Sequence, residues 1–383
     1  MSEYLEPIRT ALRVFPGVAA AAAVPLMVLH YRRFGRVQSG RTLMLYSFCF
    51  YALAAVFLVI LPLPERTADF CARYQGTKDP QLVPFTFVAE LAGEAKSAGS
   101  ALGVLGSSAF LQPFFNALLL LPLGVYLRYY FRLGFVASVG VLATTTLAFE
   151  LVQLSGLLGL YPCPYRLFDV DDLILNTAGG TIGYAATPAL ARVLPSVEPI
   201  YPAKPTYASI ARRLLAFALD GAAVTTAAIV AMFVPSMSRP APLVAMAGAA
   251  FVNFIILPVA TGGRTIGKAI VRVRVVGACG RRPAWYRVVA RSLLLFGPPV
   301  VFLRLVVLDG VLRMNLGVGG ALLELAFALA LVGAYSVPPL VRADGRGIHE
   351  IWSGTDHAAL PPRGTGRGES APRSAGEEGR AAS

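Results

Sequence analysis

The sequence predicts an all-α integral membrane protein of about nine transmembrane helices in two helical modules. Three observations carry that prediction. The 383 residues are 56% hydrophobic but only 14% charged, and their mean hydropathy is +0.63. A soluble domain is about 25% charged. The charges gather in short clusters between long uncharged stretches, because a charge at bilayer depth costs several kcal/mol. Every second connection is also strongly basic. This composition excludes an ordinary cytosolic enzyme, a disordered chain and a disulfide scaffold.

Windows of about 20 apolar residues place the spans near Val14–Tyr31, Thr42–Leu61, Phe114–Leu127, Gly134–Leu154, Leu173–Leu190, Leu214–Val234, Leu243–Ala260, Ser292–Leu308 and Gly320–Val341. The third is short and can extend back through Phe110 and Leu111. The first reads as an anchor rather than a cleaved signal, since a basic cluster follows it. Arg32, Arg33, Arg36 and Arg41 separate spans one and two, Arg128 and Arg132 follow span three, and Arg192, Lys204, Arg212 and Arg213 separate five and six. Between spans seven and eight lie Arg264, Lys268, Arg272, Arg274, Arg281, Arg282, Arg287 and Arg291, with no acidic residue. With nine spans these loops share one side. The positive-inside rule makes it cytoplasmic, with the N-terminus outside and the C-terminus inside. The net charge of +13 then reads as topology and attraction to anionic lipid headgroups, not nucleic-acid binding.

The expected organisation is an anchor and basic loop (1–41), a first membrane module (42–190), a Pro-rich linker (191–206), a second module (207–358) and a disordered cytoplasmic tail (359–383). Pro62 to Gln112 is expected outside. Within it Phe85, Val88, Ala89, Ala92 and Ala95 share a helical face beside Glu90, Glu94 and Lys96, which suggests an interfacial helix.

Glu150 and Gln153 lie three apart near the outer end of span four, and Arg166, Asp169, Asp172 and Asn176 follow around the mouth of span five. Two readings stand side by side. In one, Asp171 or Asp172 caps the helix, Arg166 neutralises a carboxylate and Asn176 bonds a neighbouring helix. In the other, the six residues form an outer-face pocket for a charged headgroup, ion or drug. Gly179 and Gly183 form a Gly-x-x-x-Gly pair suited to close helix packing. Phe149-Glu150-Leu-Val-Gln153, Arg166-x-x-Asp169-x-x-Asp172-Leu-Ile-Leu-Asn176-Thr-x-Gly179-Gly180-x-x-Gly183, Val83-Pro84-Phe85 and the Asn116–Gly124 stretch together resemble the VanZ-like family over residues 42–190. That family is named for a protein associated with teicoplanin resistance. The resemblance implies a membrane protein acting at the cell envelope.

Cys71 and Cys163 both fall in expected external loops, and we predict that they pair. Cys49 is expected to be an apolar packer and Cys279 a reduced cytoplasmic thiol. His30, His349 and His357 look scattered, and no spacing suggests a metal or cofactor site.

In the second half, Asp220 sits inside a span with Arg291 as a candidate partner. Gly262 to Ala269 has P-loop spacing, but Ala269 stands where a Ser/Thr would hold magnesium, so nucleotide binding is rejected. Ile270 to Val276 alternates apolar and basic residues and suggests a short ribbon within 262–291, with Gly280 to Pro283 as its turn. Arg213-x-x-Ala216-x-x-x-Asp220, Gly263-x-Thr265-x-Gly267-Lys268, Val289-x-Arg291 and Arg346-x-Ile348-His349-Glu350-x-x-x-x-Thr355 resemble the RDD family over about 205–358. Glu350 stands where that family has Asp. The resemblance implies ion or proton antiport as one activity.

Three functions compete: an envelope accessory protein binding a lipid-linked or lipophilic glycopeptide-like molecule, a secondary transporter using membrane carboxylates, and an enzyme using Glu150 and Asp172 as acid and base. The last lacks a nucleophile or metal set, and the transporter lacks an inverted repeat.

Overall fold

The computed structural model describes residues 2–97, 101–199, 208–234, 241–277, 280–312, 317–342 and 344–360. The expected tail beyond 360, Lys204 and Cys279 lie outside the described residues. The protein is an all-α membrane protein with very little strand. It forms two compact units, residues 1–23 with 38–199 and residues 24–37 with 200–383, so the first helix contributes to both.

The first unit holds α1 (Ser2–Phe34), α2 (Ser39–Ile60), α3 (Phe70–Arg73), α4 (Thr86–Ser97), α5 (Ala101–Gly106), α6 (Ser108–Leu119), α7 (Leu121–Tyr129), α8 (Phe135–Leu154), a left-handed turn α9 (Gly156–Gly159) and α10 (Val170–Leu190). Local chemistry sets the ends. Leu61 precedes Pro62 and is forced to extended backbone, which stops α2. Pro122 cannot donate an amide to the preceding turn, so the third span breaks at Leu120 into α6 and α7. That span begins at Ser108, so it does extend back through Phe110 and Leu111. α4 forms where the interfacial helix was expected, but Phe85 precedes it at φ +67° and so does not share the helical face of Val88, Ala89, Ala92 and Ala95.

α10 packs tightly on α6 and α7. A Cβ on Gly179 would lie 1.6 Å from the Ala117 carbonyl oxygen, and one on Gly183 would lie 2.0 Å from that of Leu121. No side chain fits there, so the Gly-x-x-x-Gly pair lets backbones touch. Leu120, Leu123, Leu127 and Leu142 form the core beside this contact.

The second unit holds α11 (Ile210–Met232), α12 (Ala241–Phe251), a wide π turn (Val252–Ile256), α13 (Leu257–Thr261), α14 (Ile266–Ile270), β1 (Val273–Val276), α15 (Trp285–Leu312), α16 (Gly317–Val341), α17 (Ile348–Ser353) and β2 (Asp356–Ala359). Ser209 caps α11 by accepting from the Arg212 amide. The expected ribbon is corrected in its partner. β1 pairs antiparallel with β2, from Val273 opposite Ala359 to Val276 opposite Asp356, not with a strand returning through Gly280 to Pro283. Val273 and Val275 are buried inside the unit, so the apolar face of β1 meets protein. Gly263 has φ +99° and its missing Cβ admits the Val275 carbonyl, which seats β1 against the turn after α13.

Among the described residues six helices are long and apolar enough to cross a membrane: Glu6–Phe34, Ser39–Ile60, Ser108–Tyr129, Phe135–Leu154, Ile210–Met232 and Ala241–Thr261. The other three expected spans fall on α10, α15 and α16. α10 has the length, 21 residues, but opens on Asp171, Asp172 and Asn176, which lower its hydropathy.

Candidate functional site

All six residues of the first polar cluster line one cavity of about 680 Å³ in the first unit. That size matches small-molecule sites. Leu58, Phe115, Leu118, Leu119 and Phe149 supply apolar wall, and Glu150, Gln153, Arg166, Asp169, Asp172 and Asn176 supply a polar lining.

The helix termini place these groups. Asp169 adopts extended backbone and accepts from the Asp171 amide at 2.8 Å, so Asp169 is the cap of α10, not Asp171 or Asp172. Burial holds the Asp169 carboxyl above the usual carboxylate range, against the hydrogen bond from the Asp171 amide. Asp171 points away to the start of α4, where it accepts from the Phe85 and Phe87 amides and from Thr86 Oγ1. Asp172 is thereby left toward the cavity, and Asn116 Nδ2 donates to its Oδ1. Glu150, 3% exposed, accepts from the Asp169 amide at 3.1 Å.

Two further expectations of the structural reading are corrected. The hydrogen bond of Arg166 goes to the Leu61 carbonyl at 2.8 Å rather than to a carboxylate. Gln153 Nε2 donates to the Val59 carbonyl, so both side chains hold the end of α2. Asn176 Nδ2 donates to its own helix, at the Asp172 carbonyl, instead of a neighbour. The Val59 and Leu61 carbonyls lie at the C-terminal end of α2, where a helix leaves carbonyls without an amide partner.

Cys71 and Cys163 form a disulfide across 92 residues of sequence. Phe70, Tyr161, Cys163 and Tyr165 pack around it. Tyr161 and Tyr165 donate to the Pro64 and Ile60 carbonyls, fastening these loops beside the cavity-lining end of α2.

The second cluster has two centres. Asp220, fully buried on α11, accepts from Asn253 Nδ2 at 2.9 Å, Thr265 Oγ1 at 2.6 Å and the Gly267 amide at 2.6 Å. Lys268 Nζ lies 3.9 Å away. The stretch with P-loop spacing thus wraps a carboxylate of its own chain. Arg291 is not the partner of Asp220. It belongs to the other centre, around Glu350, which is 1% exposed. Glu350 Oε2 receives Arg213 Nη1 at 3.1 Å and the Gly347 amide at 2.7 Å, and Oε1 lies 3.2 Å from Arg291 Nη2. The same Nη2 faces His349 Nε2 at 3.3 Å and His357 Nε2 at 3.2 Å, and Nη1 donates to Thr355 Oγ1. A guanidinium only donates, and Nη2 carries two N–H groups for these three acceptors, so Glu350 Oε1 and the two imidazoles share them. His357 Nδ1 faces Glu350 Oε1 at 2.6 Å.

His349 and His357 are therefore not scattered. Burial, then the Arg291 charge, pushes His349 down to about 4 and His357 down to about 3. Burial alone would raise Glu350, but the His357 contact, the Arg291 charge and the Gly347 amide hold it well below the usual range. Burial, then Arg291, pushes Lys268 down to about 8, against Asp220.

Sequence reasoning missed Asn253 and His357 as members of these sites, and quoted Asn116 and Thr355 only within family motifs, without a role. Asn253 and Asn116 had a readable signal, an amide within an apolar helix. Among the described residues no group of three or more His, Cys, Asp or Glu is placed to hold a metal.

Residues 48–192 match the model of the VanZ/LLP1 family, and residues 207–354 match that of the RDD family. No curated protein and no solved structure matches the chain. The chain thus joins a VanZ-like region in its N-terminal half to an RDD region in its C-terminal half.

Proposed function

We propose that this is a multi-pass protein of the bacterial plasma membrane that binds a lipophilic envelope ligand, lipid-linked or glycopeptide-like, in the cavity of its VanZ-like region. The observation that carries this reading is the convergence of six polar side chains on one amphipathic cavity, where they could have bonded only to one another. The family named for teicoplanin resistance supports the same reading.

Nine spans, with the N-terminus outside, put the cavity's polar lining at the outer face. Exposed Trp285 and Tyr286 at the start of α15, beside exposed Arg281 and Arg282, fit a cytoplasmic interface with anionic headgroups. An antiporter built on Asp220 is less well supported, because three donors already occupy both carboxylate oxygens.

The test is drug susceptibility of cells carrying Glu150→Ala or Asp172→Ala at normal protein level. Losing one charged hydrogen bond to a ligand shifts its affinity about tenfold or more. Teicoplanin susceptibility is expected to move with it. Susceptibility unchanged in both variants and in a deletion strain rejects the reading.

A further inference from the structure

We infer that the cavity selects amphiphiles whose head is a protonated amine bearing N–H groups. The inference rests on the ligand-binding reading above and adds the chemistry of the ligand.

The polar lining is unbalanced. Three carboxylates, Glu150, Asp169 and Asp172, face one guanidinium, Arg166. Of the nearby donors, Arg166 Nη2 is directed at the Leu61 carbonyl and Asn116 Nδ2 at Asp172. A second observation is independent of charge. Asn176 is 4% exposed and lines the cavity, and its Oδ1 is buried with no partner among the described residues. Its amide cannot be turned round to remove that orphan. Nδ2 sits 2.7 Å from the Asp172 carbonyl, which only accepts, so the nitrogen must face it. Oδ1 is therefore the free end of the side chain. An unsatisfied buried amide oxygen costs about 1–3 kcal/mol, which a donating ligand recovers.

The cavity thus offers surplus acceptors and negative charge at its polar lining, and hydrocarbon wall along Leu58, Leu118 and Leu119. A primary ammonium brings three N–H donors and one positive charge. A hydroxyl brings one donor and no charge. A quaternary ammonium brings charge and no donor. A site built to hydrogen-bond N–H groups rejects analogues lacking them. Two sources supply this head, an aminolipid of the membrane and a free lipophilic amine.

Native mass spectrometry on the full chain in detergent separates them. Dioleoyl phosphatidylethanolamine is titrated against dioleoyl phosphatidylcholine, and hexadecylamine against hexadecanol. The expected result is binding of at least one amine about tenfold tighter than its partner. Preference within the lipid pair marks an aminolipid, and preference within the alkyl pair alone marks a free amine. Glu150→Gln and Asn176→Leu should each erase the preference for the amine over its partner. Equal binding within both pairs by the unaltered protein overturns the amine inference and leaves an amphiphile site standing. Binding of no amphiphile overturns this inference and the proposed function together.

Discussion

Buried charge in this protein is settled one side chain at a time. Glu350 holds Arg213 and Arg291 by two ion pairs in a site closed to solvent. Removing one partner of such a pair leaves uncompensated charge and costs about 3–5 kcal/mol. Glu350→Ala should therefore lower the thermal unfolding temperature of the purified protein sharply, and Glu350→Asp should recover part of the loss. The histidines add a pH dependence. Their folded values lie near 4 and 3, below the ordinary 6.5, so the unfolded chain binds protons more readily. Stability is expected to be full above about pH 6.5 and to fall as the pH drops toward 4 and 3, with Glu350 adding to the loss at the acid end. Unfolding followed from pH 7 to pH 4 checks this, and His357→Phe should flatten the slope. The sequence made Arg213, Asp220 and Arg291 legible, because ionisable residues stand out in or beside apolar spans, whereas His349 and Glu350 were marked only by the resemblance to the RDD family. It did not show which arginine served which acid. His357 was hidden because no local spacing marks it: Glu350, seven residues back, meets it only through the turn into β2, and Arg291 is 66 residues away.

Between elements the decisive quantities are approach distance and cross-linking. Gly179→Val would drive a branched side chain into the Ala117 carbonyl, and a cost above about 4 kcal/mol is expected, read as loss of monodisperse protein on size exclusion. Gly17→Val, at a position with open space, is the control that should behave normally. The disulfide closes a long loop, and Cys71→Ser should cost about 2–5 kcal/mol and open the Phe70–Tyr165 region to trypsin. The long helices were readable from hydropathy, but in the sequence the third span read as continuous, without the α6–α7 break at Pro122. The pairing of β1 was not readable either. Alternation fixes which faces a strand presents, but its partner β2 begins 80 residues later, at Asp356, and the nearby turn signal of Gly280 to Pro283 was the wrong guide.

For the molecule as a whole, the orientation of the spans governs what the cavity can meet. Asp79 and Arg264 are both exposed, and they sit in connections assigned to opposite faces. On a background without Cys49 and Cys279, an impermeant maleimide should label Asp79→Cys in intact cells and Arg264→Cys only after lysis. Labelling in the reverse pattern would place the cavity's polar lining in the cytoplasm. The carboxylate of Glu350 carries one more consequence, for biosynthesis. Arg213 and Arg291 emerge from the ribosome well before their shared acid does. A nascent chain stalled ahead of Glu350 has two inward-facing guanidinium groups with nothing to neutralise them. Such a truncated product is expected to leave the second unit unsealed and open to membrane quality-control proteases.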